Sequence, residues 1–286
     1  MRTADIRTIR TRYGMFAIDV VSDAKMARAL ESGVYPNEGL LVIARQFITP
    51  GSVVLDIGAH IGTFAVPIAN EAGKVIAFEP SPEAFSLLSR NAAEHGGNML
   101  LVNKALGRTT GNGSIIVRKE SNAGANTIVP GGDIPISTVD SEVTHADFIK
   151  IDVEGMELQV LSGGAQLIER SRPVIMFEVN LSQLRAHHTS PRALERFFAR
   201  HGYWIYVPLE QKNGALARVL SATLLTAFIA PRAWIFFSES APFDLVAIPQ
   251  ERVLPEQNES FGVALWCALK NNLSVKFRRA RVLLRR

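Results

Sequence analysis

From residue 51 onward, short apolar runs rich in β-branched residues alternate with longer stretches of helical spacing. The runs cover residues 53–57, 74–78, 99–103, 148–152 and 173–179. The helical stretches cover 61–71, 82–95, 156–170 and 191–201. Alternation of this kind predicts βαβ units and a parallel sheet covered by helices. Turn chemistry agrees with the boundaries: Pro50-Gly51 precedes the first run, and Gly96-Gly97 stops the second helix. Segment 107–135 breaks the rhythm. It is rich in Gly, Asn, Ser and Thr around one β-like run at 114–117, and it predicts an excursion above the sheet rather than a crossover helix. Runs 203–207 and 244–248 predict an antiparallel pair at one edge. The expected fold class is therefore α/β, a doubly wound Rossmann-like sheet, mostly parallel with an antiparallel edge strand. Residues 1–50 read as a helical prelude, with helices at 26–30 and 38–47 around the loop Gly33-Val34-Tyr35-Pro36. The main domain then spans 51–250 with an insertion at about 209–235, and 251–286 is an extension. No internal repeat or low-complexity tract is visible.

Composition narrows the class. A chain of 286 residues that is 47% hydrophobic and 20% charged builds a sizeable core and is not wholly disordered. Its single cysteine, Cys267, excludes an intramolecular disulfide and a cysteine metal cluster, and fits a reducing, cytoplasmic setting. Arg2, Arg7, Arg10 and Arg12 are scattered with no apolar run behind them, so no signal peptide is expected. The most apolar window, residues 219–230, is closed by Arg218 and by Pro231-Arg232. It is shorter than the ~20 residues a bilayer span needs, and reads as a buried or lid-forming helix. The net charge of +4 is uneven: residues 276–286 hold six Lys/Arg and no acid, and without those six cations the chain carries −2. The basic character thus describes a tail rather than a DNA-binding face. That tail is either a solvated terminal helix or a peripheral contact with an anionic membrane. The oligomeric state stays open, a homodimer included.

The most informative stretch is Asp56-Ile57-Gly58-Ala59-His60-Ile61-Gly62. An apolar strand ends in an acid, and a Gly-punctuated turn then opens a helix. In an open α/β sheet such a turn lies at the switch point where ligands bind. The dehydrogenase pattern G-x-G-x-x-G brings a pyrophosphate to a helix N-terminus. Here the spacing is Asp-x-Gly-x-x-x-Gly, and a carboxylate entering the turn would repel a pyrophosphate. It suits a cationic ligand instead, and S-adenosylmethionine carries a sulfonium and an ammonium. Glu79 ends the next strand, where an acid accepts hydrogen bonds from ribose hydroxyls. Two ordinary turn acids are the plain alternative for this pair.

A second cluster is Lys150-Ile151-Asp152-Val153-Glu154. Strand alternation places Lys150 and Asp152 on one face. Methyl transfer from a sulfonium needs alignment and exclusion of water, and a hydroxyl nucleophile gains from a base. Asp152 or Glu154 is the candidate base, with Lys150 beside them. The competing reading is a buried Lys–Asp ion pair that only orders the strand end. Paired carboxylates also suit a divalent metal, but no further ligand set is legible and none is expected. Asp152-Val153-Glu154-Gly155 lacks the Asn/Asp-Pro-Pro-aromatic motif of base-amino methylation, and Cys267 lies far from the sheet motifs that C5 chemistry needs.

The motifs Asp56 to Gly62, Phe78-Glu79-Pro80-Ser81-Pro82, Ser137-Thr138-Val139-Asp140 and Asp147 to Gly155, with Glu157 trailing, resemble the FkbM family of methyltransferases. The resemblance covers about residues 35–180. It implies a class I methyltransferase fold, S-adenosylmethionine as donor, and O-methylation of a small molecule or saccharide. By the same resemblance Asp56, Gly58, Ala59, His60 and Gly62 line the cofactor turn, Glu79 and Pro80 lie at the ribose, and Glu38 lies near the cofactor. His60 stands where relatives often carry Asn and still donates a hydrogen bond. Fold analogy puts Asn103 and Ala105 around the adenine. Residues 181–286 match no family pattern.

Weaker candidates end the list. Glu178 and Asn180 close the fifth strand beside the same cleft and are candidate acceptor contacts. His187 or His188 is a candidate base, although adjacent loop histidines are usually solvated. Tyr203, Trp204 and Tyr206 alternate along a strand and read as packing. The competing functions are an NAD-dependent oxidoreductase, a binding module without turnover, and an enzyme brought to RNA or lipid by the basic tail.

Overall fold

The computed structural model describes residues 4–93, 97–116, 127–210, 215–218 and 243–252. The apolar window 219–230, Cys267 and the basic tail lie outside the described residues. In chain order the elements begin with β1 (Ile6–Thr11), β2 (Gly14–Asp19), α1 (Ala24–Glu31), α2 (Glu38–Ala44), β3 (Val53–Ile57) and α3 (Ala65–Ala69). Then come β4 (Lys74–Phe78), α4 (Pro82–Ala92), β5 (Met99–Val102), β6 (Ala105–Leu106), β7 (Gly111–Ile116), β8 (Thr127–Pro130) and β9 (Ile134–Ser137). These lead into α5 (Val139–Glu142), β10 (Phe148–Ile151), α6 (Glu157–Gly163), α7 (Ala165–Ser171) and β11 (Val174–Val179). The last are α8 (Leu181–Ala186), α9 (Pro191–Arg200), β12 (Tyr203–Glu210), β13 (Ala215–Arg218) and β14 (Phe243–Pro249).

The central sheet runs β13-β12-β14-β11-β10-β3-β4-β5. Strands β11, β10, β3, β4 and β5 pair in parallel, and β14 lies antiparallel between β11 and β12. This is the doubly wound, mostly parallel sheet that the alternation of elements predicts. The chain winds outward from β3 through β4 to β5 in one direction, and through β10 to β11 in the other. The carboxyl ends of β3 and β10 therefore flank the switch point, where a crevice opens.

Strand β3 is buried on both faces, as a central parallel strand must be. Val54 joins one core with Phe16, Leu41, Phe64 and Leu88, whereas Leu55 and Ile57 join the other with Ile149, Leu161, Phe177 and Phe198. The first core shows what residues 1–50 do: they cover one face of the sheet beside α3 and α4. They are not wholly helical, because β1 and β2 form an antiparallel hairpin. Polar, exposed β1 has no apolar face to announce it, and only β2 buries Phe16, Ala17 and Ile18.

Asn91 fastens this hairpin. Its carboxamide accepts from the Ala17 amide at 2.6 Å and donates to the carbonyls of Ala17 and Ile61 at 3.1 and 2.9 Å. Asn91→Ala is expected to destabilise the chain by about 2–3 kcal/mol, since buried backbone groups lose their partners. Urea unfolding measures it, and a loss below about 0.5 kcal/mol would show that the hairpin does not depend on this residue.

Two helices differ from expectation. The 61–71 stretch contracts to α3, because Gly62 to Phe64 belong to the turn after β3. The 156–170 stretch divides into α6 and α7 at Gly163-Gly164. Side chains there would run into the Gly107 carbonyl and Val139. The described parts of segment 107–135 do leave the sheet: β7 and β8 build with β6 and β9 a separate four-stranded sheet of order β6-β9-β7-β8. Among the described residues no helix is long and apolar enough to cross a membrane.

Candidate active site

An open cleft of about 990 Å³, its solvent-filled mouth included, lies over the carboxyl ends of β3, β4 and β10. On one side the turn after β3 supplies Gly58, Ala59 and His60, and the turn after β4 supplies Glu79, Pro80 and Ser81. Gly58 has φ +82°, and a Cβ there would meet the Asp152 carbonyl oxygen at 1.9 Å. Only glycine lets the two strand ends approach this closely. Gly62, also left-handed at φ +91°, is not part of the wall. A Cβ there would meet Leu88 at 2.8 Å, so this glycine serves the packing of α4.

The first three amides of the turn are already used. Gly58 and Ala59 both donate to the Phe78 carbonyl at 3.0 Å, and the His60 amide donates to Glu79 Oε2 at 2.8 Å. These three donors are therefore not available to a pyrophosphate. Glu79 Oε1 accepts from the Ser81 amide at 2.9 Å. Burial pushes the Glu79 carboxyl up to about 7 against the pull of the two amides. Asn103 acts from behind this wall: its Nδ2 donates to the carbonyls of Glu79 and Pro80 at 2.7 and 3.2 Å, while Ala105 itself faces the cleft.

Asp56 does not line the cleft. Its side chain is fully buried, and Oδ1 lies 3.2 Å from Lys150 Nζ. The register pairs the two residues across β3 and β10. Lys150 also reaches Asp152 Oδ2 at 3.4 Å. Burial raises the Asp56 carboxyl, and Lys150 opposes that rise. Burial pulls the Lys150 ammonium down, but the two carboxylates outweigh it and its net shift is upward. The carboxylate that faces the cleft is that of Asp152, with its side chain 37% exposed.

His60 lines the cleft at φ +52°. That left-handed conformation is one that His, Asn and Asp adopt more readily than other non-glycine residues. His60 Nε2 lies 3.1 Å from Asp23 Oδ2. Burial drives the imidazole down to about 4 and the Asp23 carboxyl up to about 7, so the pair is close to neutral rather than a full ion pair.

The opposite wall is apolar: Leu106 of β6, Ile115 of β7, Ile128 of β8, and Met156 before α6. Sequence reasoning missed this wall, although the β-like run at 114–117 was its visible trace. Met26 and Asn37 also line the cleft from the N-terminal segment. Glu38 does not. Its carboxylate is held by Arg12 and by the Tyr13 hydroxyl at 3.2 Å, and its neighbour Asn37 takes the place at the wall.

Next to Asp152 the structure gathers further acids. Carboxylate oxygens of Asp152, Glu154 and Glu178 lie within 4.8 Å of one another. Asp244 on β14 stands opposite Glu178 in the register. Burial, then Asp152, Asp244 and Glu154, push the Glu178 carboxyl up to about 10. Burial and Asp152 push Asp244 up to about 7. Asn180 instead caps α8, its Oδ1 accepting from the Gln183 amide at 3.4 Å and from Ser182 Oγ at 2.8 Å, and His187 ends that helix; neither belongs to the cleft wall.

Fold and site together define a class I methyltransferase. The methyltransferase FkbM domain matches residues 56–205, more than half the chain, and the chain belongs to this family. Hexuronic acid methyltransferase AglP of Haloferax volcanii is 30% identical over 131 residues. The match takes in 43% of this chain and 54% of that protein, so the chain spans about half the length of that relative. Among solved structures, methyltransferase FkbM of Methylobacillus flagellatus is 19% identical over 49% of this chain and 36% of its own, at a TM-score of 0.37. TYW2 of Pyrococcus horikoshii in complex with MeSAdo is 15% identical over 87% of this chain and 73% of its own, at a TM-score of 0.44.

Proposed function

We propose that the chain is an S-adenosylmethionine-dependent O-methyltransferase acting on a saccharide hydroxyl. One observation carries the donor: two cleft carboxylates, Glu79 and Asp152, face an apolar wall across a turn whose first three amides are spent. That donor set suits a ligand with a diol, a positive charge and a flat ring. Glu79 accepts from the ribose hydroxyls. Asp152 faces the cationic end, while Leu106, Ile115, Ile128 and Met156 pack on the adenine. S-adenosylmethionine supplies a methyl on a sulfonium, with a neutral thioether as leaving group.

The protein's part is to orient the acceptor oxygen and to take its proton. Asp152 or Glu154, both in the cleft lining, is the candidate base, and Glu154 accepts a bond from Gln183 Nε2 at 3.1 Å. The saccharide acceptor is supported by the hexuronic acid methyltransferase relative. Calorimetric titration with S-adenosylhomocysteine beside NAD tests the donor. S-adenosylhomocysteine alone is expected to bind, and Glu79→Ala to weaken it by about 1–3 kcal/mol for a lost hydrogen bond to a charged group. Binding of NAD alone would overturn the reading.

A further inference from the structure

We propose that Asp152, Glu154 and Glu178 hold a divalent cation of the magnesium or manganese class at the acceptor side of the cleft. This deepens the proposed function and rests on it for the acceptor: the cation would bridge the three carboxylates to two saccharide oxygens.

The geometry fits. Three oxygens within 4.8 Å of one another come near the roughly 4 Å that separates donors on opposite sides of a cation whose oxygen bonds are about 2.0–2.1 Å. The ligands come from separate places, namely the end of β10, the turn after it, and the end of β11. A second observation is independent of the acids' proximity. Gln183 is 6% exposed and donates through Nε2 to Glu154, which sets its carboxamide against the cluster, yet its buried Oε1 has no donor. Glu157, 1% exposed, likewise leaves Oε2 buried without a donor, and its charge is felt at Glu178. Two buried oxygens short of a positive partner, beside three carboxylates, match a cation and its coordinated water. Lys150 is already shared by Asp56 and Asp152. A cation also solves a problem of the reading itself: a uronic acid acceptor would otherwise bring its own carboxylate up to Asp152, Glu154 and Glu178.

The test is manganese titration of the full chain, stripped with EDTA and desalted, read by loss of the free-ion electron paramagnetic resonance signal. The expected result is one Mn²⁺ per chain, displaced by Mg²⁺. Glu178→Gln and Glu154→Gln, nearly isosteric and checked for folding by circular dichroism, should each weaken it by about tenfold or more. No Mn²⁺ bound at millimolar concentration, or equal binding by parent and both variants, would overturn the inference. S-adenosylhomocysteine titration of the parent in EDTA reads the methyl-donor assignment separately, so failure of one is not mistaken for failure of the other.

Discussion

Lys150→Met is expected to destabilise the chain by about 3–5 kcal/mol in urea unfolding, the typical cost of leaving a buried charge without its partner. Lys150 is 4% exposed and Asp56 is fully buried. Asp56 Oδ1 has the ammonium at 3.2 Å, and Oδ2 has no hydrogen-bond partner. Removing the ammonium strands a carboxylate between two hydrophobic cores. It also leaves Asp56 and Asp152 facing each other without the cation between them. The charge-free double variant Asp56→Leu/Lys150→Met is expected to regain most of the loss, because replacing a buried pair by apolar side chains is often neutral. A single variant within about 1 kcal/mol of the parent would show that Lys150 is not the counter-charge of this strand end.

The second large effect concerns pH. In EDTA the thermal midpoint at pH 6 should exceed that at pH 8, by roughly 5 °C or more. Burial pushes the carboxyls of Asp23, Glu79 and Glu157 up to about 7, and Asp244 and Glu178 move in the same direction. A carboxyl whose folded pKa is raised contributes fully below its unfolded value, and loses that contribution as pH climbs through the folded value. For these groups the window runs from about 4 to about 7 and above. His60 opposes them at the acid end. Its imidazole is lowered to about 4, so its contribution is present above the unfolded value and lost as pH falls toward 4. The two windows overlap between about 4 and 6.5, and there the five raised carboxyls outweigh the single imidazole, so the midpoint falls as pH rises. Differential scanning calorimetry across pH 5 to 9 measures it, and a midpoint rising steadily to pH 8 would contradict the burial of these acids. Magnesium added at pH 8 should recover part of the loss if the acid cluster binds it, since a cation stabilises the ionised carboxylates.

The strands were legible wherever a short apolar run met turn residues on both sides, as for β3 and β4, whose limits agree with the pattern. The central strands are buried on both faces, so their local sequence and their tertiary setting make the same demand. The hairpin β1–β2 was not legible, because β1 is polar and exposed and owes its form to pairing with β2 and to Asn91, far along the chain. The break between α6 and α7 was hidden for a similar reason: it answers to Gly107 and Val139 rather than to the spacing within the helices.

By itself the sequence determined the alternation of elements, the turn geometry after β3, and the residue types that gather at the carboxyl ends of the strands. These are properties of contiguous segments, set by period, glycine and strand-end acids. Only the tertiary structure decided where each acid stands. Asp56, first in the motif, is neutralised beneath the cleft by Lys150 of the neighbouring strand. Asp152 faces outward, and Glu178 arrives from a third strand to complete a group of carboxylates that no local spacing displays. Burial and charge pairing depend on which strands lie side by side, and that is settled by the packing of the whole sheet.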